Sequence, residues 1–83
     1  MLSRKEIIEK LIDILESAND KPVEFKDYTE DSKIMTDFGL SSVGMLYMVI
    51  AIEETFSIEF DDVDVNTFVT LKDVVDYIER KLQ

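Results

Sequence analysis

The 83-residue chain has no cysteine and no histidine. Without cysteine there is no disulfide framework, no thiol nucleophile and no thiolate metal site, and the composition fits a reducing compartment. Without histidine the commonest general base and the commonest neutral metal ligand are both missing. Both absences lower the expectation of catalysis, and no metal site is expected. Basic residues are scarce: nine Lys and Arg stand against nineteen Asp and Glu, a net charge of −10. That excess argues against nucleic acid and against anionic membrane surfaces as partners. No stretch reaches the length of a membrane span, and Met1-Leu2-Ser3-Arg4 leads into an amphipathic segment rather than a signal peptide's apolar block. A cytoplasmic location follows as the expectation.

What is present suits one small domain over residues 1–83, a monomer with a limited core and modest stability. Apolar residues make up 46% and charged residues 34%, which supports a soluble fold. The charge is uneven. Residues 1–26 hold six acids and five bases, a net −1, whereas residues 27–83 hold thirteen acids and four bases, a net −9. A charge-steered partner should be basic and should meet the second half.

Helical periodicity dominates. Ser3 followed by Glu6 is a capping box, with Leu2 and Ile7 as a staple, and opens a helix expected over residues 4–18. Ile8, Leu11, Ile12 and Leu15 recur at helical spacing and mark its apolar face, widened by Ile7. Asn19-Asp20 and then Pro22 stop it. From Asn19 to Leu40 no period is sustained, but Phe25, Tyr28, Ile34, Met35 and Phe38 should pin this long connection to the core, with a turn of helix near residues 31–35.

A second helix is expected over residues 42–56. At about 100° per residue, Met48, Val49, Ile52 and Phe56 fall within roughly 60° of Met45 and form its core face. Val43, Tyr47, Ile50 and Glu54 cluster on the far side, at roughly 140° to 200° from Met45, where a surface helix is normally polar. That side is either a second buried face, covered by the 19–40 connection, or an apolar contact stripe. An acidic connection follows, anchored by Phe60 and Phe68, with a single helical turn expected at residues 61–65. Thr70 and Asp73 form a second capping box, and Leu71, Val74, Val75, Ile78 and Leu82 carry the last apolar face. The expected core is Ile8, Leu11, Leu15, Met45, Val49, Ile52, Phe56, Val74, Val75 and Ile78. The fold class is all-α: a small four-helix bundle of three longer helices and one short one.

The stretch around which the chain is organised is Asp37-Phe38-Gly39-Leu40-Ser41-Ser42-Val43. It puts two hydroxyls at a helix N-terminus, where free N–H groups and the helix dipole favour a phosphate. Serine is also among the commonest caps, so the competing reading is that both serve structure alone. Angle separates them. Ser41 precedes the first turn and suits the cap, while Ser42 lies about 60° to the other side of the core direction and can face solvent.

This stretch, followed by Met48-Val49-Ile50-Ala51-Ile52-Glu53-Glu54-Thr55-Phe56, resembles the acyl carrier protein family, whose motif is a Gly-x-Asp-Ser-Leu run and a helix ending in Glu-Glu-x-Phe. Thr70-Leu71-Lys72-Asp73 and Asp76-Tyr77-Ile78 resemble parts of its last helix, so the likeness spans nearly the whole chain. The resemblance implies a 4′-phosphopantetheine arm, donated by coenzyme A, on the motif serine, here Ser42. The arm's thiol holds acyl or aminoacyl cargo as a thioester for fatty-acid, polyketide or nonribosomal-peptide biosynthesis. It also implies partners: a phosphopantetheinyl transferase, and loading and condensing enzymes with basic docking surfaces. The sequence departs from the motif in having Ser41 where the family has aspartate and Val43 where it has leucine. Val43, Tyr47 and Ile50, rimmed by Glu53 and Glu54, are the expected partner face.

Two rival readings remain at this level. One is an unmodified interaction module that docks through the same stripe. The other is a calcium-binding helix–loop–helix: Asp62, Asp64, Asn66 and Asp73 fall at loop spacing, but Thr67 stands where the sharp turn needs glycine and Asp73 where a glutamate is preferred. Glu53 and Glu54 do not make a catalytic pair, because adjacent helix positions diverge by about 100°.

Overall fold

The computed structural model describes residues 2–19, 28–60 and 67–83. Three α-helices lie among them: α1 (Arg4–Ala18), α2 (Ser42–Phe56) and α3 (Leu71–Leu82). Each begins where its cap predicts. The Glu6 N–H donates to Ser3 Oγ at 3.2 Å while the Ser3 N–H donates to Glu6 Oε1 at 3.1 Å. At α3 the Asp73 N–H donates to Thr70 Oγ1 at 3.2 Å and the Thr70 N–H to Asp73 Oδ2 at 3.0 Å. Such reciprocal pairs satisfy donors that a helix start otherwise leaves unmatched.

The helices share one apolar core. Leu11, Leu15, Met45, Val49, Ile52, Phe56, Val74, Val75 and Ile78 are buried as expected, but Ile8 is only partly buried. Its place belongs to Ile7 and Ile14, because α1 is turned so that the 7–11–14–15 row faces inward. Tyr77 is also buried, closing an aromatic cluster with Phe60 and Phe68, and its hydroxyl donates to the Glu59 carbonyl at 3.3 Å. A buried tyrosine needs such a partner for its polar tip.

The connection before α2 is pinned by backbone pairing as much as by anchors. Ile34 and Phe38 are buried, whereas Met35 is half exposed. Lys33 and Thr70 form an isolated antiparallel bridge. Around it the Ile34 N–H donates to the Val69 carbonyl at 3.0 Å, the Leu71 N–H to the Ser32 carbonyl at 2.9 Å and the Lys72 N–H to the Glu30 carbonyl at 2.8 Å. The loop thus supplies acceptors to the first N–H groups of α3, which have none within the helix. The expected turn of helix sits two residues later than residues 31–35: the Asp37 N–H donates to the Lys33 carbonyl at 2.8 Å. Arg4 ties the same loop to α1 and α3, pairing with Glu30, with Asp76 at 2.9 Å and with Glu79.

The short helical turn expected at residues 61–65 and the Phe25 anchor lie outside the described residues, as do the first three calcium-loop positions. Of that loop's later positions, Asp73 has one carboxylate oxygen taken by the Val69 and Thr70 N–H groups. No helix among the described residues is long and apolar enough to cross a membrane.

Candidate functional site

The start of α2 is positioned from three directions. Asn19, just past α1, donates through Nδ2 to the Leu15 carbonyl at 3.1 Å and to the Phe38 carbonyl at 3.2 Å, which fixes the chain one residue before Gly39. Gly39 turns with φ of 71°, a conformation that costs other residues about 1–2 kcal/mol. Leu40 then buries its side chain, and its N–H reaches back to the Ile34 carbonyl at 3.4 Å. Gly44 lets the first turn of α2 approach the end of α1. A Cβ there would meet Leu40 Cγ at 3.1 Å and the Ala18 carbonyl oxygen at 3.4 Å.

On this foundation the two serines take different roles. Ser41 is the N-cap: its Oγ accepts the Gly44 N–H at 3.1 Å and its carbonyl accepts the Met45 N–H at 2.9 Å. Ser42 is exposed, and its hydroxyl has no hydrogen-bond partner among the described residues. The N–H groups of Ser42 and Val43 likewise have no acceptor among them. A phosphate ester on Ser42 would meet free amides at the positive end of a helix dipole. The residues present therefore fit a phosphate-linked group at this serine.

Ser42 also lies at the edge of an apolar cleft of about 360 Å³, lined by Lys33, Met35, Thr36, Met45, Leu46, Phe68 and Val69. Five of these come from the loop before α2 or its first turns, and Phe68 and Val69 from the approach to α3. Sequence periodicity missed Leu46, which is 62% exposed and falls between the core face and the opposite stripe of α2. Its angle, about 100° from Met45, could have flagged it.

The outer stripe is open. Val43 is 78% exposed, Tyr47 47% and Ile50 48%, so the described part of the 19–40 connection does not bury it. Glu54 is exposed beside them. Glu53 is partly buried, and its Oε2 accepts the Phe60 N–H at 3.0 Å, stapling the acidic connection to α2. From Ser42 to Ile52 there is no charged residue at all.

Residues 5–78 match the family model described as "Phosphopantetheine attachment site". Among curated relatives, the acyl carrier protein of Thermotoga maritima is 34% identical over 82 residues, covering 99% of each chain. That of Coprothermobacter proteolyticus is 32% identical over 81 residues, covering 98% of this chain and 96% of its own. That of Campylobacter hominis is 44% identical over 50 residues, covering 60% and 63%.

Proposed function

We propose a function from one premise: this chain belongs to the phosphopantetheine-attachment family, among the acyl carrier proteins. It is a non-catalytic carrier whose cofactor is covalent 4′-phosphopantetheine. The attachment residue is Ser42. The observation that carries this assignment is its exposed hydroxyl at the N-terminus of α2, without a hydrogen-bond partner among the described residues, beside a serine already committed to capping. A phosphopantetheinyl transferase would form the bond from Ser42 Oγ to the pantetheine-side phosphorus of coenzyme A and break that phosphorus's pyrophosphate bond, releasing adenosine 3′,5′-bisphosphate and the serine proton. When bound, the arm supplies the thiol that this cysteine-free chain lacks, and on it cargo is held as a thioester.

The protein's own contribution is to hold Ser42 on a rigid helix start and to offer partners a surface beside it. The cargo is acyl, as the relatives' names suggest, for a cytoplasmic biosynthetic route of the fatty-acid or polyketide type. Loading and condensing enzymes dock on Val43, Tyr47 and Ile50, whose burial supplies the apolar centre of a small interface. Glu54 and the free oxygen of Glu53 give the charged rim that speeds encounter with basic surfaces.

Intact mass tests the attachment. After incubation with coenzyme A and a broad-specificity transferase, the protein should gain one phosphopantetheine. Ser42→Ala should gain none, and Ser41→Ala should still be modified. Modification persisting in the Ser42→Ala protein would move the site elsewhere.

A further inference from the structure

The cleft beside Ser42 has a feature that nothing in the attachment reading requires. Its lining is mostly apolar, yet it includes one cation, Lys33. Lys33 is the only basic residue between positions 27 and 71, in a half of the chain with a net charge of −9. Every basic residue of α3 is engaged: Lys72 pairs with Asp76, and Arg80 and Lys81 lie over the Tyr77 ring. The Lys33 ammonium has no ion-pair or hydrogen-bond partner among the described residues. Its backbone is nonetheless fixed, by the bridge to Thr70 and by its N–H donating to Asp37 Oδ2 at 2.7 Å. A lysine held by its backbone at the rim of an apolar cleft, with its charge uncommitted among the described residues, is arranged for an anion that arrives later.

Resting on the assignment of Ser42 as the attachment point, we infer that Lys33 binds the phosphodiester of the arm and that the arm's first apolar segment lies in the cleft. Chain order supports this. The phosphate follows Ser42 Oγ directly, so a cation in the same cleft meets the phosphate and not the distant thiol. The next groups along pantetheine are a methylene and a carbon bearing two methyls. These suit walls made by Met35, Leu46 and Val69, which are exposed by 50%, 62% and 51%. Lys33 also offsets the anion's cost in a strongly acidic field. The arm's root is then seated on the protein while its thiol end remains free to visit partners.

The experiment compares wild type, Lys33→Gln and Lys33→Arg, each converted to the modified form and each verified by intact mass. Phosphorus NMR of the phosphodiester and amide spectra of both forms are recorded at low salt and at about 0.5 M salt, where exposed charge pairs are screened. In wild type, modification should shift the amides of Met35, Leu46 and Val69, and salt should move the phosphorus signal. Lys33→Gln should start near the high-salt wild-type position and lose the salt response, and Lys33→Arg should keep it. The unmodified variants should retain the wild-type spectrum away from residue 33, because the contacts that fix Lys33 use its backbone. Should Lys33→Gln fold poorly, the salt response of wild type still decides. A phosphorus signal indifferent to salt in wild type, or equally salt-dependent in wild type and Lys33→Gln, overturns the Lys33 contact. Absence of the Met35, Leu46 and Val69 shifts overturns the seat in the cleft. A protein that never gains the mass overturns the attachment reading instead.

Discussion

At the scale of single residues, neighbouring serines of one chemistry are separated by backbone position alone. Ser41 has extended dihedrals and turns its hydroxyl onto the Gly44 N–H, whereas Ser42 is already helical and points its hydroxyl outward. Ser41→Ala should therefore cost about 1 kcal/mol in chemical denaturation, with the mass gain on modification retained. A second residue carries strain with no evident compensation. Ser57 caps α2 in the left-handed region with φ of 56°. Glycine adopts that conformation freely, though it is freer still when unfolded, so Ser57→Gly should stabilise by roughly 0.5 kcal/mol net. A midpoint of urea unfolding that falls in Ser57→Gly would show that the serine side chain contributes more than its backbone strain costs.

At the scale of elements, α2 has a buried face and an exposed apolar face, and substitution separates them. Ile52 is fully buried and Ile50 is half exposed, two positions apart on one helix. Ile52→Ala should cost about 2–5 kcal/mol, as core truncations do. Ile50→Ala and Tyr47→Ala should leave the melting temperature nearly unchanged while slowing turnover by the transferase or a loading enzyme. A loss of several kcal/mol in either of the last two would mean that the stripe is core. The same helix shows where sequence reading succeeds. Helix boundaries and caps were legible because side-chain period and cap chemistry are local, and Ser42's outward placement followed from angle. The cleft was not legible. It is built by Met35 from an aperiodic loop, Leu46 from between two helix faces, and Phe68 and Val69 from beyond α2. The pairing that brings them together, Lys33 with Thr70, joins residues with no local pattern to announce it. Ile8 was misplaced for a related reason: two overlapping apolar rows on α1 satisfy the same spacing, and only packing against α2 and α3 chooses between them.

At the scale of the whole molecule, two electrostatic effects oppose each other as pH falls. The net charge of −10 at neutral pH repels itself, and that repulsion eases as the carboxylates are protonated toward the pI near 4.2. Against this stands the Arg4 clamp. The Arg4 guanidinium holds the Glu30 carboxyl below the usual carboxylate range, and Lys72, with Arg4 second, does the same to Asp76. A carboxyl whose folded value is depressed contributes stability that is fully present above its unfolded value and is lost as pH falls through the folded one. The clamp is therefore intact at pH 7 and fails below about pH 4. Stability should hold or rise from pH 7 toward 5, then drop steeply below 4. Because Glu30 and Asp76 are each more than one-third exposed, solvent screening limits the loss on removing the cation. Arg4→Gln should lower stability by about 1 kcal/mol at pH 7. Between pH 7 and 5 this variant should gain more than wild type, since protonation relieves acids that no longer face a cation. Below pH 4 its curve should fall less steeply and approach that of wild type. Urea unfolding across this range checks the argument, and parallel curves for the two proteins would show that the Arg4 pairs contribute nothing to acid sensitivity.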